Sequence, residues 1–521
     1  MNLVAKYFGN YKDVNYKNEI LSGLTVAIAL VPEAIAFSFI AGVDPLVGLY
    51  AACIMGFFTS ILGGRPGMIS GSTGAIAVVV ASTVQHFGEA YLYPTIILGG
   101  LIQMIIGFSG FGKFIRLVPH SVMLGFVNGL AIVIFLAQFP MFYQDPGNAI
   151  LYSNSTLVIM IGLVLLTMAI MFLLPRFSKL IPGGLAAILV VAGISMIPGV
   201  DTPTVTNLLQ GKSMEGGLPQ IFMSYPANLF SLETLKIIFL PALSVAGVGL
   251  IESLLTLTLI DEKTDTRGNG SRESVAQGIA NVISGLFGSM GGCAMIGQSM
   301  ININSGARKR LSGIVAALAL LAFIMYLSDI IVQIPVAALI GIMFMVSYGT
   351  FEWSSLKDFK LAPKGDFVIM VTVALITVFF HNLALAVLVG VIMAALLFSW
   401  DNAVRIRARK RVDEDNVKHY DIYGPLFFGS ITSFMEKFDI KNDPQKVVID
   451  FEESRVADQS GVEAIKKLHA KYNQAQKEVS FVNLSQGCKE LLLKAKIEVT
   501  VDPDKPKYEM VYNDELEENI F

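Results

Sequence analysis

The sequence predicts an α-helical polytopic membrane protein of about 14 spans, built as a 7+7 inverted repeat and followed by a small α/β domain. Three observations carry this. The 521 residues are 54% hydrophobic and only 15% charged, with a mean hydropathy of +0.63, a balance that suits a chain dominated by membrane spans. Of its 79 Asp, Glu, Lys and Arg residues, 42 fall in the last 121, so a boundary near Trp400 separates a membrane region from a soluble tail. Two Gly-rich breaks also interrupt apolar sequence at matching places in the two halves: Ser70-Gly71-Ser72-Thr73-Gly74-Ala75 and Gly291-Gly292-Cys293-Ala294-Met295-Ile296-Gly297.

At about 20 apolar residues per span, segments lie near 21–41, 43–62, 92–111, 119–142, 155–174, 183–198, 236–259, 310–328, 332–349, 366–381 and 383–400. The shorter pieces 72–85, 273–289 and 295–304 bring the count to about fourteen. Ten to fourteen helical residues do not reach across roughly 30 Å of hydrocarbon, so the shortest of these must lie within protein or beside a cavity.

Basic residues set the orientation. Lys6, Lys12 and Lys17 precede the first span. Arg65, then Lys113 with Arg116, Arg176 with Lys179, Lys263 with Arg267 and Arg272, Arg308 with Lys309 and Arg310, and Lys357 with Lys360 and Lys364 follow the even-numbered spans. Arg405, Arg407, Arg409, Lys410 and Arg411 follow the last, whereas the long connection 199–235 holds only Asp201, Lys212, Glu215 and Glu233. Both termini are therefore expected in the cytoplasm, with the first apolar helix serving as the membrane address. The first ~20 residues do not have the pattern of a cleavable leader.

Comparison of the halves supports duplication. A lone acid sits in an apolar helix upstream of each break: Glu33 lies 39 residues before Ser72, and Glu252 lies 42 before Ala294. Seven spans per repeat force the second copy to enter the membrane from the opposite face. The repeats are expected at about 18–200 and 233–402, within a transport region spanning 1–402. Beyond it, 413–512 reads as an α/β domain and 513–521 as an acidic tail. Val447-Val448-Ile449-Asp450-Phe451 and Val479-Ser480-Phe481-Val482 are short strand-like runs. Val462, Ile465, Leu468 and Tyr472 recur at helical spacing between them, and Cys488, Leu491, Leu492 and Ala495 do so afterwards.

The breaks carry the expected chemistry. A helix N-terminus presents unpaired N–H groups and about half a positive charge. Two such ends facing each other at mid-membrane would hold a small anion with no buried Lys or Arg, and neither break contains one. Ser72 and Thr73 add hydroxyl donors, while Gly71 and Gly74 allow close approach to the backbone. The alternative is that these small residues only permit tight helix packing in lipid.

Glu33 and Glu252 carry an insertion cost of about 3 kcal/mol each, so such residues usually face a cavity. A carboxylate beside a bound anion can take up a proton and relieve the repulsion, a route to proton–anion symport; a permanently hydrogen-bonded structural acid is the alternative. Pro32 is expected to kink the first span beside Glu33. Phe37, one helical turn from Glu33, can turn its positive ring edge to an anion or simply pack, and Gln298 is a candidate polar wall. His86, His120 and His381 lie at span ends, where an interfacial place is expected rather than a proton relay; Asn382 adds little.

The residues here resemble a known family. Val26-Ala27-Ile28-Ala29-Leu30-Val31-Pro32-Glu33-Ala34-Ile35-Ala36-Phe37 with Gly48-Leu49-Tyr50-Ala51 resembles the first-span signature of the sulfate permease family. Gly285-Leu286-Phe287-Gly288 leading to Ala294, then Asn302 and Gly306, resembles its tenth-segment region. Asp458-Gln459-Ser460-Gly461 is similar to the loop of a STAS domain. The resemblance covers nearly the whole chain. It implies seven plus seven inverted spans divided into core and gate domains, usually in a homodimer, with the anion between half-helices 3 and 10. Substrates of such proteins are sulfate, bicarbonate, chloride, related oxyanions and some dicarboxylates. It places Glu33 and Phe37 where the family's first span faces the substrate; together with the helix-end reading of the two breaks, the expected substrate set is Glu33, Phe37, Ser72, Thr73, Gly74, Ala294, Met295, Ile296 and Gln298. The resemblance places Glu252 and Thr256 where a sodium-coupled bicarbonate branch uses an acid and a threonine to hold Na+. Here Glu replaces that branch's Asp, and Ala294-Met295-Ile296 replaces its Gly-Ala-Thr. The lost hydroxyl weighs against sodium and toward proton coupling. Ser460 is the serine that a STAS loop would phosphorylate, at a helix N-terminus that welcomes phosphate; helix capping by Asp458 or Ser460 is the other reading.

Secondary active transport of a small anion, sulfate or bicarbonate, coupled to H+ or Na+ by alternating access in the cell inner (plasma) membrane, is the function expected. An uncoupled anion channel or an exchanger of chloride, bicarbonate or dicarboxylate is one alternative, and a STAS-mediated membrane scaffold or sensor is another. The net charge of −3 offers no field for nucleic acid. No Ser-His-Asp set, Walker A motif or metal-ligand spacing stands out, and Cys53, Cys293 and Cys488 have no CxxC spacing. No enzyme, resident cofactor or metal centre is expected; the expected partners are the anion, its cation, lipid and a second copy of the chain.

Overall fold

The structure, a computed structural model, describes residues 15–110, 118–145, 150–177, 182–208, 216–223, 225–226, 231–357, 363–380, 383–403 and 405–484. Lys6, Lys12, Lys113, Arg116, Lys179, Lys212, Glu215, Lys360, His381, Asn382, the helix expected around Cys488, Leu491, Leu492 and Ala495, and the acidic tail lie outside them. Two units form, Met1–Val391 and Ile392–Phe521.

The first unit is helical because its segments are apolar for long runs and lipid leaves the backbone no partner outside the helix. In chain order, and leaving single turns unlabelled, its helices are α1 (Tyr16–Ala41), α2 (Pro45–Leu62), α3 (Gly74–Phe87), α4 (Leu92–Phe108), α5 (His120–Leu136), α6 (Asn154–Phe177) and α7 (Gly183–Ser195). The second series is α8 (Leu232–Thr264), α9 (Gly270–Leu286), α10 (Ile296–Asn304), α11 (Leu311–Ile331), α12 (Val336–Thr350), α13 (Lys364–Phe380) and α14 (Leu383–Ala403), the last of which runs across the boundary between the units. Eight of these, among the described residues, are long and apolar enough to cross a membrane. α3, α7 and α12 are shorter apolar helices. The shorter piece expected at 273–289 is the 17-residue helix α9.

Helix ends follow from local chemistry. Asp44 caps α2, accepting from the Leu46 amide at 2.9 Å, with Pro45 in the first turn, where its missing N–H is no loss. Gly42 ends α1 in the left-handed conformation (φ +75°). Pro32 does not interrupt α1, although it removes the bond that the Ile28 carbonyl would receive.

The packing repeats itself. α1 packs on α11 and α8 on α4; α2 packs on α11 and α9 on α4; α10 packs on α1 and α3 on α8; α6 packs on α12 and α13 on α5. Each contact becomes its partner when the first seven helices exchange places with the second seven. α2 on α9 and α5 on α12 are their own images. Small residues allow close crossings here: a Cβ on Gly100 of α4 would stand 2.6 Å from the Gly278 carbonyl of α9. By contrast, α6 turns Val158, Ile161, Leu165 and Phe172 outward, an apolar face suited to lipid.

Buried charge is paired. Arg65 lies 3.0 Å from Asp261 and donates to the Ile260 carbonyl and to Thr264 and Thr266. Glu19, at the start of α1, accepts from the amides of Arg308, Lys309 and Ser312 at 2.6–3.0 Å. It thereby places a carboxylate at the positive end of α11.

The first unit holds four short strands, β1 (Ser70–Gly71), β2 (Tyr143–Asp145), β3 (Ile150–Leu151) and β4 (Cys293–Ala294), and the second unit contains a four-stranded sheet in the order β5 (Arg407–Val412), β6 (Val417–Tyr423), β7 (Lys446–Glu453), β8 (Glu478–Val482). β5 and β6 are antiparallel; β6–β7 and β7–β8 are parallel. Two helices, α15 (Ile431–Met435) and α16 (Gln459–Gln474), belong to the same unit. β7 and β8 are the two runs expected as strands. In β7, Val447, Ile449 and Phe451 alternate inward, as the two-residue period requires. α16 buries Val462, Ile465, Leu468 and Tyr472, the stripe read from the sequence. β5 escapes such a reading because Arg407, Arg409, Lys410 and Arg411 occupy it as an edge strand, where charge discourages further pairing.

Candidate functional site

The two Gly-rich breaks meet. β1 (Ser70–Gly71) and β4 (Cys293–Ala294) form an antiparallel ribbon, with Ser70 opposite Ala294 and Gly71 opposite Cys293. The Met295 amide extends it by donating to the Ile69 carbonyl at 2.9 Å. Glycine makes the approach possible, since a Cβ on Gly292 would lie 1.8 Å from the Gly71 carbonyl oxygen. α3 leaves one end of the ribbon and α10 the other, so both helix N-termini are anchored on the same few residues. Thr73 caps α3, its Oγ1 accepting from the Ile76 amide at 3.4 Å. Met295 occupies the corresponding place on α10 with no side-chain cap.

Polar side chains from four helices hold the ribbon and its flank. Asn281 of α9 clamps Gly292, accepting from its amide at 2.9 Å and donating to its carbonyl at 3.0 Å. Gln103 of α4 accepts from the same Asn281 amide group. Gln277 donates to Ser70 Oγ at 2.7 Å, and Ser253 of α8 accepts from the Ala294 amide at 3.1 Å. Ser299 joins Ile69 to α10 through its hydroxyl.

The acids flank this frame. Gln298 Nε2 donates to Glu33 Oε1 at 2.8 Å, joining α10 to α1. Cys293 Sγ donates to Glu252 Oε2 at 2.8 Å and lies 3.0 Å from Thr73 Oγ1. Glu33 and Glu252 are partly buried residues, Gly297 in the first turn of α10 is exposed, and no heavy atom would meet a Cβ there within 4 Å. Open space therefore borders the N-terminus of α10. The Phe37 ring stands over Gly74 at the start of α3, 2.8 Å from where a Cβ would be. Ser72 is 1% exposed, and its hydroxyl has no hydrogen-bond partner; the Gln298 Oε1 atom is likewise buried without one. An unsatisfied buried polar group of this kind costs about 1–3 kcal/mol.

The structure thus brings Glu33, Phe37, Ser72, Thr73, Gly74, Glu252, Ala294, Met295 and Gln298 around the ribbon, with Ile296 half-buried in the first turn of α10. Thr256 lies one turn below Glu252, but its hydroxyl bonds back to the Glu252 carbonyl at 2.8 Å. Ser460 lies elsewhere, in the first turn of α16. There Asp458 is the cap, accepting from the Gly461 amide at 2.8 Å while its other oxygen takes the Phe428 amide. Sequence reasoning missed Cys293, Ser253, Asn281, Gln103 and Gln277 as site-forming residues. Polar side chains within apolar segments were the available signal.

Residues 16–373 match the sulfate permease family, and residues 409–506 match the STAS domain. "Putative sulfate transporter YbaR" of Bacillus subtilis is 41% identical over 490 residues, covering 94% of this chain and 98% of that protein. The bicarbonate transporter BicA of Picosynechococcus sp. is 30% identical over 535 residues, covering 94% and 93%. The murine Solute Carrier 26 family member A9 anion transporter, solved in the inward-facing state, shares the fold with a TM-score of 0.80 at 17% identity, covering 95% of this chain and 89% of that one. With a family match over most of its length and full-length relatives that include a bicarbonate transporter, this chain belongs to the sulfate permease family of membrane transporters.

Proposed function

We propose that the protein carries a small anion, sulfate or bicarbonate, across the cell inner (plasma) membrane by alternating access, coupled to H+ or Na+. One observation carries this reading: two short helices start from the two ends of a single ribbon two residues long, so their unpaired N–H groups and positive ends border the same small region, in which Ser72 holds a buried, unpartnered hydroxyl. The anion is held there by backbone dipoles and hydroxyls rather than by a cationic side chain. Glu33 and Glu252 border the same ribbon, and the cotransported cation offsets their charge as the anion enters. The hydroxyl missing at Ile296 favours H+ as that cation. Family membership and the named relatives point the same way, to anion transport.

The pairwise symmetry of the packing supports an inverted repeat within residues 1–402. We further infer 413–512 as the STAS domain from the family match to 409–506, both termini in the cytoplasm from the placement of the basic residues, and a homodimer as the working unit from the family resemblance. Uptake of labelled sulfate, bicarbonate and fumarate into proteoliposomes, under separate proton and sodium gradients, tests the function. Accumulation of one anion above equilibrium under one gradient is expected. Flux far above transporter turnover, with no response to either gradient, would replace the transporter by a channel.

A further inference from the structure

We propose that Cys293 is a positioning residue that reports the charge state of Glu252 to the anion site: its thiol donates to Glu252 while that carboxylate is free, and to Thr73 once a cotransported cation neutralises it, turning the Thr73 hydroxyl toward the anion. The proposal rests on the reading of Glu252 as the coupling acid and adds the part that joins it to the substrate.

Its basis is geometric. Cys293 is fully buried in β4, with Sγ 2.8 Å from Glu252 Oε2 on α8 and 3.0 Å from Thr73 Oγ1 at the start of α3. A thiol has one proton and can donate in one direction at a time, whereas a hydroxyl has one donor and two acceptor positions. With the carboxylate free, the thiol proton points to Glu252 and Sγ accepts from the Thr73 hydroxyl. With Glu252 neutralised, the thiol proton is released to Thr73 Oγ1, which also accepts from the Ile76 amide. The Thr73 proton then has no protein acceptor to satisfy and is free to bond the anion beside Ser72. No covalent bond changes; only the direction of two hydrogen bonds does.

The groups around Glu252 leave this path open. The elements packed on α8 include α3, α4, α9, α10 and β4. Their titratable side chains are His86, Tyr93, Arg272, Glu273 and Cys293. Tyr93 bonds Glu89, His86 the Ser82 carbonyl, Arg272 the Leu62 carbonyl, and Glu273 the Gly64 amide and Gln277. Of these five, Cys293 is the one recorded in hydrogen-bond contact with Glu252.

The test compares wild type, Cys293→Ala, Cys293→Ser, Thr73→Val and Glu252→Gln as full chains in proteoliposomes, using whichever of labelled sulfate, bicarbonate and fumarate the wild type accumulates fastest. In the wild type the KM for the anion should fall as the coupling cation rises. Cys293→Ala should lose that response and lower gradient-driven accumulation about tenfold, the worth of one hydrogen bond. Cys293→Ser, which restores a donor and acceptor, should recover the KM response. The Cys293→Ala/Thr73→Val double variant should be no worse than either single one, as expected for two parts of one path. A wild-type KM response in Cys293→Ala, or additive losses in the double variant, overturns the relay while leaving the acid's role intact. Normal accumulation by Glu252→Gln overturns the coupling reading itself.

Discussion

Glu252 shows how one residue can be visible in sequence while its role waits on three-dimensional neighbours. An acid in Leu250-Ile251-Glu252-Ser253-Leu254 is costly enough in lipid to draw notice. Its contact with Cys293, 41 residues away, is set by the return of the chain through α9. We predict that Glu252→Gln in reconstituted vesicles abolishes proton- or sodium-driven uptake but leaves anion exchange partly intact; undiminished gradient-driven uptake would remove its coupling role. Gly292 makes a purely steric prediction. A methyl group there meets the Gly71 carbonyl at 1.8 Å, so Gly292→Ala should lose about 1–3 kcal/mol through overpacking. A lower thermal midpoint of the purified protein is the expected reading, and an unchanged midpoint would mean that the ribbon is not as close as described.

At the scale of elements, caps and short helices matter most. α3 and α10 are 14 and 9 residues long, too short to cross about 30 Å of hydrocarbon at 1.5 Å per residue. Their starts are consequently held by protein: Asn281, Gln277, Ser253 and Ser299 all hydrogen-bond the ribbon or its flank. In the second unit, Asp458 both caps α16 and fixes the Phe428 amide. Asp458→Ala should cost about 1 kcal/mol, measured as faster hydrogen exchange of amides 459–465 in the full-length protein. No change there would assign the cap to another group. Ser460, beside this cap, is the serine that a STAS loop would phosphorylate, and mass spectrometry of the protein purified from cells tests whether it carries phosphate.

At the scale of the whole molecule, the exchange symmetry of the helix contacts is the leading feature. A duplicated unit inserted the opposite way round brings two equivalent half-helices to one site, and α3 and α10 both start from the β1–β4 ribbon. We predict that deletion of 413–521 lowers expression or assembly more than anion affinity. The comparison is between the yield of monodisperse protein and the KM of uptake; a large loss of affinity in a well-folded truncation would contradict it.

The sequence by itself determined the class of the molecule, because hydrocarbon demands long apolar helices and tolerates lone acids only where something else compensates. Glu33, Glu252 and the two Gly-rich breaks were legible for that reason, as was the α/β tail through the alternation in 447–451 and the helical stripe of Val462, Ile465, Leu468 and Tyr472. β5 was not, since its basic residues follow the logic of an edge strand rather than of a buried one. Tertiary structure alone decided that the breaks pair with Gly71 opposite Cys293, that Gln298 bonds Glu33, and that a thiol stands between Glu252 and Thr73. These contacts join residues as far as 265 positions apart. Hydrogen bonds form wherever packing brings donor to acceptor, and a linear pattern records the burial of each segment but not the neighbour it meets.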